Sequence, residues 1–270
     1  MKFNLTDICG TRHEMDTERW GEQFINIDCM DALRAMPDKC VDLCIVDPPY
    51  GVGSVTYMPC TRTKANGGSF DKYEITIATL NMDQRKKTKV EVVHANNSAK
   101  TIRNFGDENI SPPPEYFNEL FRVSKHQIIW GGNYFMLPPS RGFVIWKKTT
   151  VAESFSMAMC EYAWMSFNEN AKLFEGAPQG TQADPRVHPT QKPISLYTWL
   201  LTNYARPGDK ILDTHVGSAS SLIACHQLGF QYWGFELDPD YYAAASARLA
   251  RAQAQASLLD VFPPSEQTTM

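Results

Sequence analysis

The sequence predicts an open α/β sheet, mostly parallel, with helices on both faces. Three observations predict it. Short apolar, β-prone runs alternate with helical patterns along most of the chain. Four of these runs end near a carboxylate, at Asp28, Asp47, Asp213 and Glu236. Open sheets of this class bind ligands outside the carboxyl ends of their strands. One run, "VDLCIVD", stops in Pro48-Pro49-Tyr50, an abrupt change from buried strand to rigid, functionalised turn.

The elements follow in order. "QFINIDC" (Gln23–Cys29) and "VDLCIVD" (Val41–Asp47) are strands, joined by a short helix in "DALRAMPD". "PPPEYFNELFRVS" places prolines at a helix start and then an i, i+3/i+4 apolar pattern. It leads into the strand "HQIIWGG". "GFVIWKK" and "EYAWMSF" are two more strands, close enough to pair as a terminal antiparallel hairpin. "ISLYTWLLTNYA" is a helix stopped by Arg206-Pro207-Gly208. "KILDTHVGSAS" is a strand entering a small-residue turn, followed by the helix "SSLIACHQLG", the strand "FQYWGFELD" and a long final helix. The tail 258–270 is expected to be mobile.

One segment breaks the rhythm. Residues 52–109 interrupt the single domain 1–270 as an inserted excursion, in which "YEITIATL" and "KVEVVHA" read as a hairpin. An excursion of this length at a strand end is functional or disordered. It carries Arg62, Lys64, Lys72, Arg85, Lys86, Lys87, Lys89, Lys100 and Arg103.

Composition narrows the function. The chain has 270 residues and a net charge of -4, so it is not a generally basic nucleic-acid binder, though a local basic groove is compatible with this. No run of about 20 apolar residues predicts a membrane span. The N-terminus lacks a signal-peptide pattern. Seven cysteines without a CxxC pair predict free thiols in a reducing cytoplasm. Six histidines form no HxxxH-type pair, and no metal site is predicted.

The chemistry concentrates at the strand ends. Asp47 offers acceptor oxygens, Pro48 a rigidly aimed carbonyl, and Tyr50 a flat face. Together with Pro49 they suit a flat molecule bearing an exocyclic amino group, such as a base swung out of a duplex. In "ILDTHVGSAS", small residues from Gly217 to Ser220 let a ligand approach the backbone, although tight helix–sheet packing explains such a turn equally well. Glu236 follows Asp213 at the spacing of a ribose-gripping acid in dinucleotide folds. "HPTQKP" (His188–Pro193) opens a helix and brings Lys192, a partner for a carboxylate.

These motifs resemble the S-adenosylmethionine-dependent amino DNA methyltransferases of the permuted β class, which have a Rossmann-like methyltransferase fold. The order is DPPY at 47–50, HPTQKP at 188–193, and the strand–turn at 211–220. "IIWGGNYF" (Ile128–Phe135) and "FVIWKK" (Phe143–Lys148) resemble family blocks around the base pocket. The resemblance implies that Asp47, Pro48, Pro49 and Tyr50 form the catalytic block. It implies that Asp28 contacts the cofactor adenine, and that Glu236 holds the ribose hydroxyls with Phe235 or Leu237 on the adenine face. It further implies that Asp213, Thr214 and the Gly217–Ser218 turn line the methionine part, and that Thr190 and Lys192 hold its carboxylate. The substrate implied is double-stranded DNA, methylated at adenine N6, as in restriction-modification systems. A homodimer is compatible with the sequence. N4-cytosine methylation, RNA adenine methylation and a catalytically inactive DNA-binding relative are the alternatives. Recognition falls to 52–109 or to Asn168–Val187.

One departure stands out. The family has Asp-Pro-Phe-x-Gly-Ser-Gly-Thr where this chain reads Asp213-Thr214-His215-Val216-Gly217-Ser218-Ala219-Ser220. Ala219 tolerates a right-handed helical backbone, and with that backbone cofactor binding is expected to survive. A positive φ there, or a methyl group against the cofactor, would weaken binding.

Overall fold

The computed structural model describes residues 1–18, 20–51, 111–155, 158–178 and 185–261, with side chains as far as residue 255. It divides into Met1–Tyr50 with Pro112–Met270, and Gly51–Ser111. The hairpin expected within 52–109 lies outside the described residues.

The first unit is built on an eight-stranded sheet. Its strands are β3 (Glu22–Asn26), β4 (Val41–Val46), β5 (Ser124–Trp130), β6 (Phe143–Lys148), β7 (Cys160–Met165), β8 (Lys172–Gly176), β9 (Lys210–Asp213) and β10 (Gln231–Glu236), in the order β3-β10-β9-β4-β5-β7-β6-β8. All run parallel except β7, which is antiparallel to both β5 and β6. The result is a Rossmann-like α/β sheet. Buried parallel strands read as near-continuous apolar runs, and β4, VDLCIV, is buried at every position but Asp42.

Alternation within the strands feeds two cores. Leu43 and Ile45 point to a cluster with Leu196, Leu200, Leu222 and Ile223, from α3 (Ile194–Tyr204) and α4 (Ser220–Gln227). Cys44 and Val46 point to the other face, against Leu33 of α1 (Cys29–Ala35) and Tyr116 and Leu120 of α2 (Pro114–Val123). The last helix, α5 (Pro239–Val261), packs Ala245 and Leu249 into the first cluster.

Several boundaries differ from the sequence reading. Asp28 does not end a strand. β3 stops at Asn26, and Asp28 is the N-cap of α1, its carboxylate accepting from the Met30 N–H at 2.8 Å. The hairpin is not terminal, because β7 lies inside it beside β5 and β8 adds a parallel strand outside β6. β8 lies within Asn168–Val187, the second recognition candidate, so that part is sheet edge. Residues 258–261, expected in the tail, continue α5, and the rest of the tail lies outside the described residues.

The sequence reading also passed over a small antiparallel sheet of β1 (Lys2–Thr6) and β2 (Arg12–Asp16). Its signal was the alternation Phe3, Leu5. Leu5 and Met15 are buried in the second core, beside Trp20, whose ring stacks on Trp233.

The register brings the functional strand ends together. Strand order reverses between β9 and β4, where Leu43 pairs with Ile211 and Cys44 with Leu212. This is the topological switch point, at which an open α/β sheet forms a crevice. Asp47 follows β4 there, Asp213 ends β9, and Glu236 ends the adjacent β10.

Candidate active site

Asp47 is held from two sides. Its Oδ1 accepts from the Tyr50 hydroxyl at 2.7 Å, and its Oδ2 accepts from Lys192 Nζ. Lys192 arrives from the segment before α3, and its side chain is only 3% exposed. A buried ammonium needs anions. Lys192 has two, Asp47 and Glu161 Oε2 at 3.1 Å, and its charge also lies 5.2 Å from the Trp130 ring. Burial pulls the Lys192 pKa down, but Asp47 and Glu161 more than offset this and raise it above the usual lysine value. Burial likewise opposes the Glu161 carboxylate, and Lys192 and Lys148 overcome it, so its pKa lies below the ordinary range. Lys148 Nζ is 2.6 Å from Glu161 Oε1. Tyr50 is pushed well above its ordinary value by burial and then by Asp47, and so remains a neutral donor.

The Tyr50 ring is packed with care for space. Tyr134 stacks on it, with centroids 5.0 Å apart and planes 19° apart, and Phe135 meets it edge-on. Gly131 has φ 67°, and a Cβ there would sit 2.1 Å from Tyr50 Cε1. The glycine is therefore required twice, for its backbone and for the ring. The sequence reading marked Ile128–Phe135 as a block but did not single out Tyr134 or Gly131. Their signal was a Gly-Gly pair at a strand end followed by an aromatic pair.

The neighbouring strand ends are built differently. Asp213 is buried. Its Oδ1 accepts from the His215 N–H at 3.0 Å and its Oδ2 from the Ser221 hydroxyl. Burial pushes its pKa up to about 7, and these two hydrogen bonds only partly oppose the rise. Glu236 accepts from the Gly217 N–H at 2.8 Å and the Asp238 N–H at 2.9 Å, and burial raises its pKa. His188 lies over the turn, where a Cβ on Gly217 would approach its ring at 3.4 Å. Burial and then Lys192 lower the His188 pKa to about 4, so the ring is neutral at pH 7.

The expectations for Ala219 and Phe235 need correction. Ala219 is not right-handed: it has φ 61° and ψ 21°, a left-handed backbone that costs a non-glycine residue about 1–2 kcal/mol. Phe235 is fully buried in the second core, because it points to the face opposite Glu236, and it is not an adenine-facing residue. Leu237 is 55% exposed and is the available alternative. The Thr214 hydroxyl is turned inward, 2.6 Å from the Tyr116 hydroxyl and 2.9 Å from His215 Nδ1. The buried Ser218 hydroxyl meets Ser220, while Arg248 donates to the Ser218 carbonyl at 2.6 Å. Thr190 is exposed and lies 3.1 Å from His188 Nδ1. Lys192, expected at a cofactor carboxylate, here pairs with Asp47 and Glu161.

Two further observations concern the described residues. All six described cysteines are free. No described helix is long and apolar enough to cross a membrane.

Known proteins resemble this chain along most of its length. The chain is 26% identical over 249 residues to the Escherichia coli (strain K12) protein named as methylase YubD, covering 86% of this chain and 91% of that one. It is 22% identical over 249 residues to the type II methyltransferase M2.MboI of Moraxella bovis, covering 82% and 85%. The M1.HpyAVI–SAM complex superposes with a TM-score of 0.47 at 14% identity, covering 84% of this chain and 98% of that one. The family model described as DNA methylase, of N6/N4 type, matches residues 85–247. That match takes in His188–Pro193, Asp213 and Glu236, and begins after Asp47–Tyr50. It covers more than half of the 270 residues, and the chain therefore belongs to the DNA methylase family.

Proposed function

We propose that the protein transfers a methyl group from S-adenosylmethionine to adenine N6 of a base flipped out of double-stranded DNA. The observation that carries this reading is Asp47, beside Pro48 and Tyr50, at the switch point next to the strand ends bearing Asp213 and Glu236. The donor supplies a methyl group on a sulfonium, which leaves as a neutral thioether.

The residues at the ends of β9, β10 and β3 fit such a donor. Gly217 turns the backbone with φ 55°, Glu236 presents a carboxylate fixed by two N–H groups, and Leu237, just after β10, and Asp28, the N-cap of α1, are exposed. Thr214 and Ser218 contribute through their backbone, since their hydroxyls are engaged elsewhere.

The chain's own residues then act on the acceptor. An exocyclic amino nitrogen is a poor nucleophile, because its lone pair is delocalised into the ring. Asp47 and the Pro48 carbonyl accept its two N–H bonds and favour a localised lone pair. As attack proceeds, positive charge grows on that nitrogen next to a preorganised carboxylate. Tyr50, braced by Tyr134 and by its bond to Asp47, offers the stacking surface for the base. Positioning supplies much of the remaining acceleration. None of the described cysteines is needed as a nucleophile, and no covalent enzyme intermediate is required.

Adenine N6 is chosen over cytosine N4 because the first motif position is aspartate, Asp47, as in the adenine enzymes that the chain resembles. The basic excursion 52–109 is assigned to reading the DNA, with phosphate contacts for register and side chains for bases.

The test is sequencing of DNA from cells expressing the wild type beside Asp47→Ala, with detection of both N6-methyladenine and N4-methylcytosine. Methyladenine at one short motif, absent in the variant, is the expected result. By analogy with losing a preorganised polar group, the variant loses about 10²–10³-fold or more in rate. Methylcytosine at a motif would transfer the assignment to N4, and marks on neither base from soluble protein would overturn it.

A further inference from the structure

We propose that Glu161 is a positioning residue for Asp47, acting through Lys192, with Lys148 anchoring Glu161 in turn. The role deepens the function proposed above and rests on the placement of Asp47 at the reacting nitrogen.

Four charged groups from four parts of the fold form one chain. Lys148 Nζ lies 2.6 Å from Glu161 Oε1, Glu161 Oε2 lies 3.1 Å from Lys192 Nζ, and Lys192 donates to Asp47 Oδ2. The signs alternate and the charges sum to zero. The side chains are 7%, 22%, 3% and 15% exposed along the chain, so solvent screens these pairs weakly. Lys147, one residue earlier on the same strand, points outward and pairs with Glu175 with both side chains about half exposed. Alternation along β6 thus sends one lysine to the surface and the next into the site.

A lysine facing a single buried carboxylate settles on it and neutralises it. Here Glu161 competes for the same ammonium, so Lys192 is shared between two anions. Glu161 thereby holds the ammonium in one place, and the ammonium fixes the orientation of the Asp47 carboxylate. The Tyr50 hydroxyl fixes the other oxygen. Glu161 and Lys148 sit on antiparallel neighbours, β7 and β6, where Trp146 pairs with Glu161 and the Lys148 N–H bonds the Met159 carbonyl at 2.8 Å. The outer half of the chain is therefore set by a sheet ladder, not by a loop. Residues on β6 and β7, remote in sequence from Asp47-Pro48-Pro49-Tyr50, aim its carboxylate.

Two measurements test this. The first is a double-mutant cycle in urea denaturation with Asp47→Asn and Glu161→Gln, which needs no activity. Either single variant leaves Lys192 one anion, and the double variant leaves it none. A loss in the double variant larger than the two single losses together is expected; additive losses overturn the proposal. The second is steady-state methyl transfer. Glu161→Gln is expected to lower kcat about 10²-fold, with little change in KM for either substrate and S-adenosylmethionine binding by calorimetry intact. Glu161→Asp, which keeps the charge, recovers part of the loss. A wild-type kcat in Glu161→Gln, or no recovery in Glu161→Asp, overturns the role. If Glu161→Gln does not fold, Lys148→Gln replaces it, and an unchanged kcat there is the overturning result. Wild-type protein that moves no methyl group to DNA, while the cycle still shows coupling, overturns the assignment of Asp47 and with it the positioning role, and leaves the buried charge chain standing.

Discussion

Asp47 and Asp213 end neighbouring parallel strands, yet their carboxylates sit in opposite electrostatic surroundings. Asp47 has a buried cation from a distant segment and a phenol from its own turn. Asp213 has an adjacent backbone N–H and a serine hydroxyl one turn into the following helix. Both are hydrogen-bonded at two oxygens. Only the first has a full positive charge within contact among the described residues. The second is pushed up to about 7, because neutral donors recover only part of the hydration that burial removes. The same residue type at equivalent places in the fold thus partners a cation on one strand and builds a turn on the next.

The comparison is broken most severely by removing the cation. Lys192→Met leaves Asp47 and Glu161 as partly buried carboxylates that lack this partner. Loss of one member of a buried ion pair costs about 3–5 kcal/mol, which urea denaturation at pH 8 will measure. A loss within 1 kcal/mol of zero would show that the pairing contributes nothing of the kind.

A second effect falls on Asp213 and is read through pH. Its folded pKa, about 7, lies above the ordinary 3.8, so the native state keeps a proton that the unfolded chain has lost between those values. Its contribution to stability is fully present below about pH 4 and is lost as the pH rises to 7. His188 and His215, both lowered to about 4 by burial, act with the opposite sign up to their ordinary 6.5. The difference between wild type and Asp213→Asn isolates the aspartate. Relative to the variant, the wild type should lose on the order of a few kcal/mol from pH 4 to pH 7.5. Parallel stability curves would refute the assignment.

The smallest effect concerns the turn after Asp213. Ala219 and Ala224 are both fully buried, but Ala219 is left-handed and Ala224 lies inside α4. Each loses one buried methyl group on replacement by glycine. Ala219→Gly also relieves a backbone that costs alanine about 1–2 kcal/mol, and Ala224→Gly relieves nothing. The first variant should therefore be the more stable of the two by about that amount in thermal or chemical denaturation. Equal losses would mean that the turn is not strained.

Much of this was legible without coordinates, for reasons of period and local chemistry. Val41–Val46, the proline-started helix after Pro113, and the helix Ile194–Tyr204 lie where apolar pattern and turn residues put them. Asp47-Pro48-Pro49-Tyr50 and His188–Pro193 were legible as motifs. Asp28 and Phe235 were misplaced for a local reason. A capping aspartate and a strand-ending aspartate look alike in sequence, and a one-residue uncertainty in strand phase exchanges core and site. The strands Lys2–Thr6 and Lys172–Gly176 were missed because short edge strands with polar alternation are hard to tell from loops.

The sequence by itself determined the alternation of strands and helices, the carboxylates at the strand ends and the rigid turn after Val46, because each follows from side-chain period and backbone restriction within a few residues. Only the tertiary structure decided that Lys192 serves Asp47, that Lys148 and Glu161 stand behind it, that Tyr134 stacks on one face of Tyr50, and that Ala219 is left-handed. Those outcomes depend on which strands become neighbours. A charge is stabilised by what lies within a few ångströms of it in space, and 145 residues of chain separate Lys192 from Asp47.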